Sequence, residues 1–159
     1  MATITANFSL SSDISTYGMT AQNTMTMTKA GSLTGLDKAT GLVRKTLSST
    51  NEVDLLTVGS GVVADVATDK FSSKLYIKNV NSDSSEYFTV GFGKSSGGAS
   101  KQTFATSDGG GDERSVELGR LYAGDFMIIP WDAASDENDV FVKPSVSTNM
   151  VIEYMVFYE

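Results

Sequence analysis

The chain contains no cysteine and no histidine. Those two absences remove disulfides, thiol nucleophiles, Cys/His zinc sites and histidine general bases together. Any chemistry would have to run on carboxylates, Lys, Ser, Thr or Tyr. No apolar run approaches the roughly 18 residues that a membrane-spanning helix needs. The opening MATITANFSLSSDIS has neither a basic n-region nor an apolar h-segment, so a membrane span and a cleaved secretion signal are both unexpected. Sustained helical periodicity is also missing, and only residues 33–42 suggest a single turn.

What is present is a chain of 159 residues, 40% of them hydrophobic, long enough for one domain with a real core. Its net charge of −7 is unevenly placed. Residues 1–50 carry four basic groups (Lys29, Lys38, Arg44, Lys45) against two acids (Asp13, Asp37), a balance of +2. Residues 51–159 carry eight basic groups against seventeen acids, a balance of −9. An acidic body repels phosphates, which argues against nucleic acid as a partner. The mildly basic leading segment suits an acidic protein surface, or is a solvated loop with ordinary charge scatter.

Ser and Thr crowd the first third, where short alternating pieces occur. In residues 3–10, Ile4, Ala6, Phe8 and Leu10 alternate with Thr3, Thr5, Asn7 and Ser9. In residues 23–29, Met25 and Met27 alternate with Thr24, Thr26 and Thr28. Period two is the mark of a half-buried strand, but these pieces are too few and too weakly apolar to build a core alone. Residues 1–50 are therefore read as an extended Ser/Thr-rich N-terminal arm that lies along a neighbouring subunit or adds a strand to its sheet. The other reading makes them outer strands of the same domain.

Residues 51–159 form the expected body. Strands are predicted near 53–58, 61–66, 75–80, 87–92, 115–118, 126–130, 140–143 and 150–158, rich in Val, Ile, Tyr and Phe and bounded by Gly, Asn, Asp and Ser. In the last, Ile152, Tyr154, Val156 and Tyr158 alternate with Val151, Glu153, Met155 and Phe157, so both sides are largely apolar. Such a strand is central or is covered by another subunit, and 126–129 has the same character. About eight strands imply an all-β fold, a jelly-roll-like β-sandwich, with a flattened barrel as the alternative. Two loops stand out: the Gly-rich 94–114 and the acidic DAASDEND at 132–139.

Several motifs fail on inspection. VGFGKSSGG at 90–98 contains Gly-Lys-Ser, but a phosphate loop needs glycine five positions earlier, where Phe88 stands. It also has to run into a helix, and more glycine follows instead, so the stretch is read as a strand entering a loop. DAASDEND offers Asp132, Asp136, Glu137, Asn138 and Asp139, yet it lacks the spacing and glycine of a calcium-binding hand. It is read as a solvated acidic turn, with no metal expected. Glycoside hydrolysis needs a singled-out carboxylate pair, and Asp65, Asp69, Asp83, Glu86, Glu117 and Asp125 are all equally placed near strand ends. Glu153, set among apolar neighbours, requires a partner if buried, and Arg120 or Lys143 is expected in a structural ion pair. Trp131 with Tyr122, Tyr154 and Tyr158 suits either a sugar-stacking surface or core and interface packing.

No catalytic residue and no cofactor is assigned. The candidate interaction residues are Ile4, Phe8, Met25 and Met27 on the arm, the cations Arg44 and Lys45, and the aromatics Trp131, Tyr154 and Tyr158.

Leu75-Tyr76-Ile77-Lys78-Asn79, then Tyr87-Phe88-Thr89-Val90-Gly91, then Leu118 to Phe126 (LGRLYAGDF), then Val151-Ile152-Glu153-Tyr154 together resemble a pattern found in small virion structural proteins of tailed bacteriophages. Those from phages of marine and cyanobacterial hosts are most similar, and the opening ATITANFSLSSDI looks like the start of such proteins. The resemblance covers residues 70–159 well and the first third loosely, and the Gly-rich 94–114 departs from the pattern. It implies a non-enzymatic protein that decorates or cements the capsid lattice, located on the virion and assembled in the host cytoplasm. Its implied partners are the major capsid protein or other virion proteins and further copies of itself, a trimer first among the oligomers. A neck, tail or fibre-base component is the alternative within the virion, and a carbohydrate-binding module the alternative outside it.

Overall fold

A computed structural model of the chain describes residues 3–12, 19–28, 38–57, 73–93, 116–131 and 139–158. The strand expected at 61–66, the Gly-rich loop and residues 132–138 of the acidic loop lie outside the described residues. The chain divides into two units, Met1–Lys38 and Ala39–Tyr158.

The first unit holds β1 (Thr3–Ser12) and β2 (Met19–Thr28). They pair with each other, antiparallel and unbroken from Thr3↔Thr28 to Ser12↔Met19. The two alternating stretches are thus one hairpin. Register sets Ile4 opposite Met27 and Ala6 opposite Met25, and Asn7 opposite Thr24 on the alternate side. There Thr24 Oγ1 donates to Asn7 Oδ1 at 3.0 Å.

The second unit is an all-β sandwich. One sheet holds β3 (Lys38–Ala39) and β4 (Val43–Leu47), both on the same central strand β11 (Met150–Tyr158), then β6 (Ser73–Asn79) and the edge strand β9 (Phe126–Trp131). The other runs β5 (Val53–Leu56), β10 (Val140–Pro144), β7 (Tyr87–Phe92), β8 (Val116–Tyr122). The antiparallel pairs nest: β4 with β11, β5 with β10, β6 with β9, β7 with β8. β7 and β8 are the innermost pair, and residues 80–86 and 123–125 lead from them to β6 and β9, the pair outside.

Period two decides which side chains meet between the sheets. Leu75 and Ile77 of β6 and Ile152 and Val156 of β11 point inward, and Phe88 and Val90 of β7 and Val140 and Val142 of β10 meet them. Each such burial contributes about 1.5–3 kcal/mol, and their sum holds two separately hydrogen-bonded sheets together. The expectation that β11 is central holds, since β4 and β6 flank it.

The expected boundary at residue 50 falls inside this body. β4 is a full member of the sheet and Leu47 is 7% exposed within the core, so residues 39–50 belong with the sandwich. The helical turn expected at 33–42 is extended where it is described: β3 leads into Thr40, whose N–H donates to the Val156 carbonyl at 3.0 Å and whose Oγ1 accepts from the Val156 N–H at 3.1 Å. Gly41, at φ 76°, supplies the left-handed step between β3 and β4.

Candidate docking surface

The strand edges and outer sheet faces are where this body meets its surroundings. β8 ends one sheet and β9, the next strand in sequence, ends the other. The turn between them is built by Gly124 at φ 86° and by the Asp125 N–H donating to the Tyr122 carbonyl at 2.9 Å, as a type II turn requires. Asp125 Oδ2 also accepts from the Tyr122 N–H at 3.0 Å.

This turn is pinned from below by Asn79, which is fully buried. Its Nδ2 donates to the Leu121 carbonyl at 3.0 Å and to the Glu86 carbonyl at 3.4 Å, and its Oδ1 accepts from the Asn81 N–H at 3.0 Å and from Asn81 Nδ2 at 2.5 Å. All four hydrogen-bonding positions of one amide are filled. β6 in one sheet is thereby joined to β8 in the other.

Along this corner Val116, Leu118, Tyr122, Phe126 and Ile128 are exposed, from 36% at Ile128 to 47% at Phe126. Arg120 lies over the Tyr87 ring at 4.5 Å, and the Tyr87 and Tyr122 rings are 5.2 Å apart. The Arg120 guanidinium is raised further above its already high range, first by its hydrogen bond with Tyr122.

The outer face of the β9 sheet is a second exposed surface. Strand register lines up Arg44, Glu153, Lys78 and Phe126 across β4, β11, β6 and β9, and next to them Met155, Tyr76 and Ile128. Glu153 is 6% exposed despite lying on this outer face. Arg44 Nε donates to Glu153 Oε2 at 2.8 Å, and the Tyr76 hydroxyl donates to Oε1 at 3.4 Å. The Tyr76 ring lies 6.3 Å from that of Phe126. Burial and then the Glu153 charge push the Tyr76 hydroxyl above the usual tyrosine range.

These observations correct several expectations. Glu153 is in an ion pair as expected, but with Arg44 in place of Arg120 or Lys143. Trp131 is 2% exposed and Tyr154 8%, both within the core, because parity on β9 and β11 turns them between the sheets; neither is available to a sugar or a partner. Arg44 and Lys45 do not reach outward from an arm. Both sit in β4, where Lys45 Nζ donates to the Asp54 carbonyl at 3.1 Å. On the hairpin, Phe8 is 48% exposed; Ile4, Met25 and Met27 are placed only by register, and Tyr158 by its pairing with Ser73.

Of the acids expected near strand ends, Asp83 and Asp125 serve turns, and Asp65 and Asp69 lie outside the described residues. Asp83 accepts from the Ser85 hydroxyl at 2.7 Å and its N–H at 2.9 Å, which holds the carboxyl below the usual aspartate range. Glu86 accepts from Thr148 Oγ1 at 3.3 Å. The Gly93 N–H, which a phosphate loop would need, donates to the Asp139 carbonyl at 2.7 Å. Among the described residues no group of three carboxylates is close enough to hold a metal, and no helix is long and apolar enough to cross a membrane.

The chain matches no protein-family model, no curated protein and no solved structure.

Proposed function

We propose that this chain is a non-enzymatic structural protein of a tailed-phage virion, and that it decorates the capsid and stabilises its lattice. The observation that carries the reading is the run of exposed apolar side chains along the consecutive edge strands β8 and β9, Val116, Leu118, Tyr122, Phe126 and Ile128. Exposed apolar area flanked by Arg and Tyr is the composition of a protein-docking surface. The nested order of the strand pairs supports the jelly-roll-like reading of the sandwich. The hairpin supplies a second contact. Neither β1 nor β2 contains a charged residue or a proline to blunt its edge, so it is suited to add to a partner's sheet. A cement protein acts by mass action: it binds the assembled shell more tightly than the free subunit and shifts the equilibrium toward the shell.

The test is co-sedimentation of the purified chain with shells of the phage that encodes it, together with immunogold labelling of the virion. Saturable binding and label over the capsid are expected, with shells surviving to a higher temperature. Label confined to neck, tail or fibre base supports the second virion reading. Absence from the virion overturns both. A chain lacking residues 1–37 retains β4 and is expected to fold without binding shells; full binding by it refutes the arm's role.

A further inference from the structure

Glu153 is a carboxylate buried on an outward-facing side of a sheet, where an apolar residue would be cheaper to desolvate. Its position has a consequence for Arg44. The guanidinium carries five N–H donors, and the bond to Glu153 uses the one on Nε. Its two Nη groups have no partner among the described residues, and the Arg44 side chain is 67% exposed. A rigid strand and a buried anion thus hold the root of the fork while its tip faces solvent. Pre-organisation of this kind lowers the ordering cost of binding.

The surroundings select the ligand. The outward positions of β4, β11, β6 and β9 carry three cations (Arg44, Lys74, Lys78) and one anion (Glu153), a balance of +2 in a chain of −7. A carboxylate meets favourable charge on this sheet and, on the chain as a whole, the opposite. Tyr76 shares Glu153 with the fork, and Phe126, 47% exposed, lies on the edge strand beyond it with its ring 6.3 Å from that of Tyr76, so a ligand laid across the strands brings apolar side chains along with its charge. A nucleic-acid backbone does not.

We propose that the Arg44 guanidinium, anchored by buried Glu153, receives an Asp or Glu carboxylate of a partner protein whose apolar segment crosses Tyr76 to reach Phe126 and Ile128 on the edge strand of the same face. The site is built from the sandwich alone and stands independently of a virion role.

The test is a titration of the full, isotope-labelled chain followed through the Arg44 Nε–H resonance. The probe is the capped peptide acetyl-Leu-Glu-Leu-Glu-Leu-amide; the same peptide with Gln for Glu, and inorganic phosphate, are the comparison ligands. Expected is a saturable displacement of Arg44 Nε–H with Phe126 and Ile128 signals, half complete at about 1 mM. The Gln peptide is expected to bind about fivefold more weakly. Arg44→Lys keeps the charge and loses the fork, and is expected to weaken the Glu peptide about fivefold. Should that variant fail to fold, Phe126→Ala at its exposed position is expected to weaken binding about threefold. No saturable displacement up to ~10 mM, an equal response to the Gln peptide, or phosphate binding as tightly as the Glu peptide overturns the assignment.

Discussion

Gly91→Ala tests how the outer side of the β10–β7–β8 sheet is packed. Gly91 is the Cα partner of Phe141 on β10 and of Glu117 on β8, at the register shift that follows Val90. Phe141 is fully buried although it stands on the side of β10 opposite to Val140 and Val142. Its ring lies where a side chain at residue 91 would begin: an added Cβ would collide with the ring and with the Val116 carbonyl oxygen. Turning the ring aside costs about 1–3 kcal/mol as overpacking. Moving the carbonyl loosens the β7–β8 ladder at about 1 kcal/mol per hydrogen bond lost. The smaller unfolded-state entropy of alanine returns about 0.4–1 kcal/mol, leaving a net loss of about 2 kcal/mol. The assay is urea unfolding of the full chain followed by the fluorescence of buried Trp131. Phe141→Ala alone is expected to cost about 3–5 kcal/mol, and in that background Gly91→Ala should cost only the backbone share less the alanine entropy, about 0.5 kcal/mol. A stability within ~0.5 kcal/mol of the parent, or an equal cost in both backgrounds, refutes the reasoning.

Four further outcomes are expected. Asn79→Ala strands the buried Leu121 carbonyl and the Asn81 donors, and should lower stability by about 3 kcal/mol in the same urea assay. Arg44→Ala leaves Glu153 buried beside Tyr76 alone and should cost about 2 kcal/mol, below the range for a fully buried pair because Arg44 is largely solvated. Adding Glu153→Gln to Arg44→Ala should recover part of that loss, and a further loss would count against the ion pair. The raised Tyr76 hydroxyl favours the neutral form in the folded chain, so its contribution is complete below the ordinary tyrosine range near 10 and declines as pH rises through it. Stability measured from pH ~8 to ~11 should therefore fall less steeply in Tyr76→Phe, and parallel curves would contradict this. Trp131 emission should be blue-shifted and indifferent to a panel of oligosaccharides, since the ring is 2% exposed; a saturable change would revive a sugar-binding surface.

How much of this was legible beforehand varies by element. β7 and β11 were bounded to the residue by strand-forming composition between turn residues, and β11 by alternation as well, because buried strands concentrate apolar and β-branched side chains. β4 was not. Val43-Arg44-Lys45-Thr46-Leu47 has two adjacent cations and apolar residues only at its ends, and it becomes a strand because β11 offers it an unpaired edge. The need of Glu153 for a cation was readable from its neighbours. The identity of that cation was not, since Arg44 lies 109 residues away and several cations were equally plausible in one dimension.

Composition and period two determined by themselves that this chain builds strands, that its interior is shared between sheets, and that it supplies no thiol or imidazole of its own. Both are properties of local geometry and residue chemistry, so neither needs to know which strand lies beside which. Only the tertiary structure decided that Trp131 and Tyr154 face inward, that Phe126 and Ile128 face outward, and that Arg44 stands beside Glu153. Those facts depend on the pairing of β4 with β11 and β6 with β9. Pairing is set by how distant hydrogen-bonded edges and apolar sides close over one core, which no short stretch of the chain records.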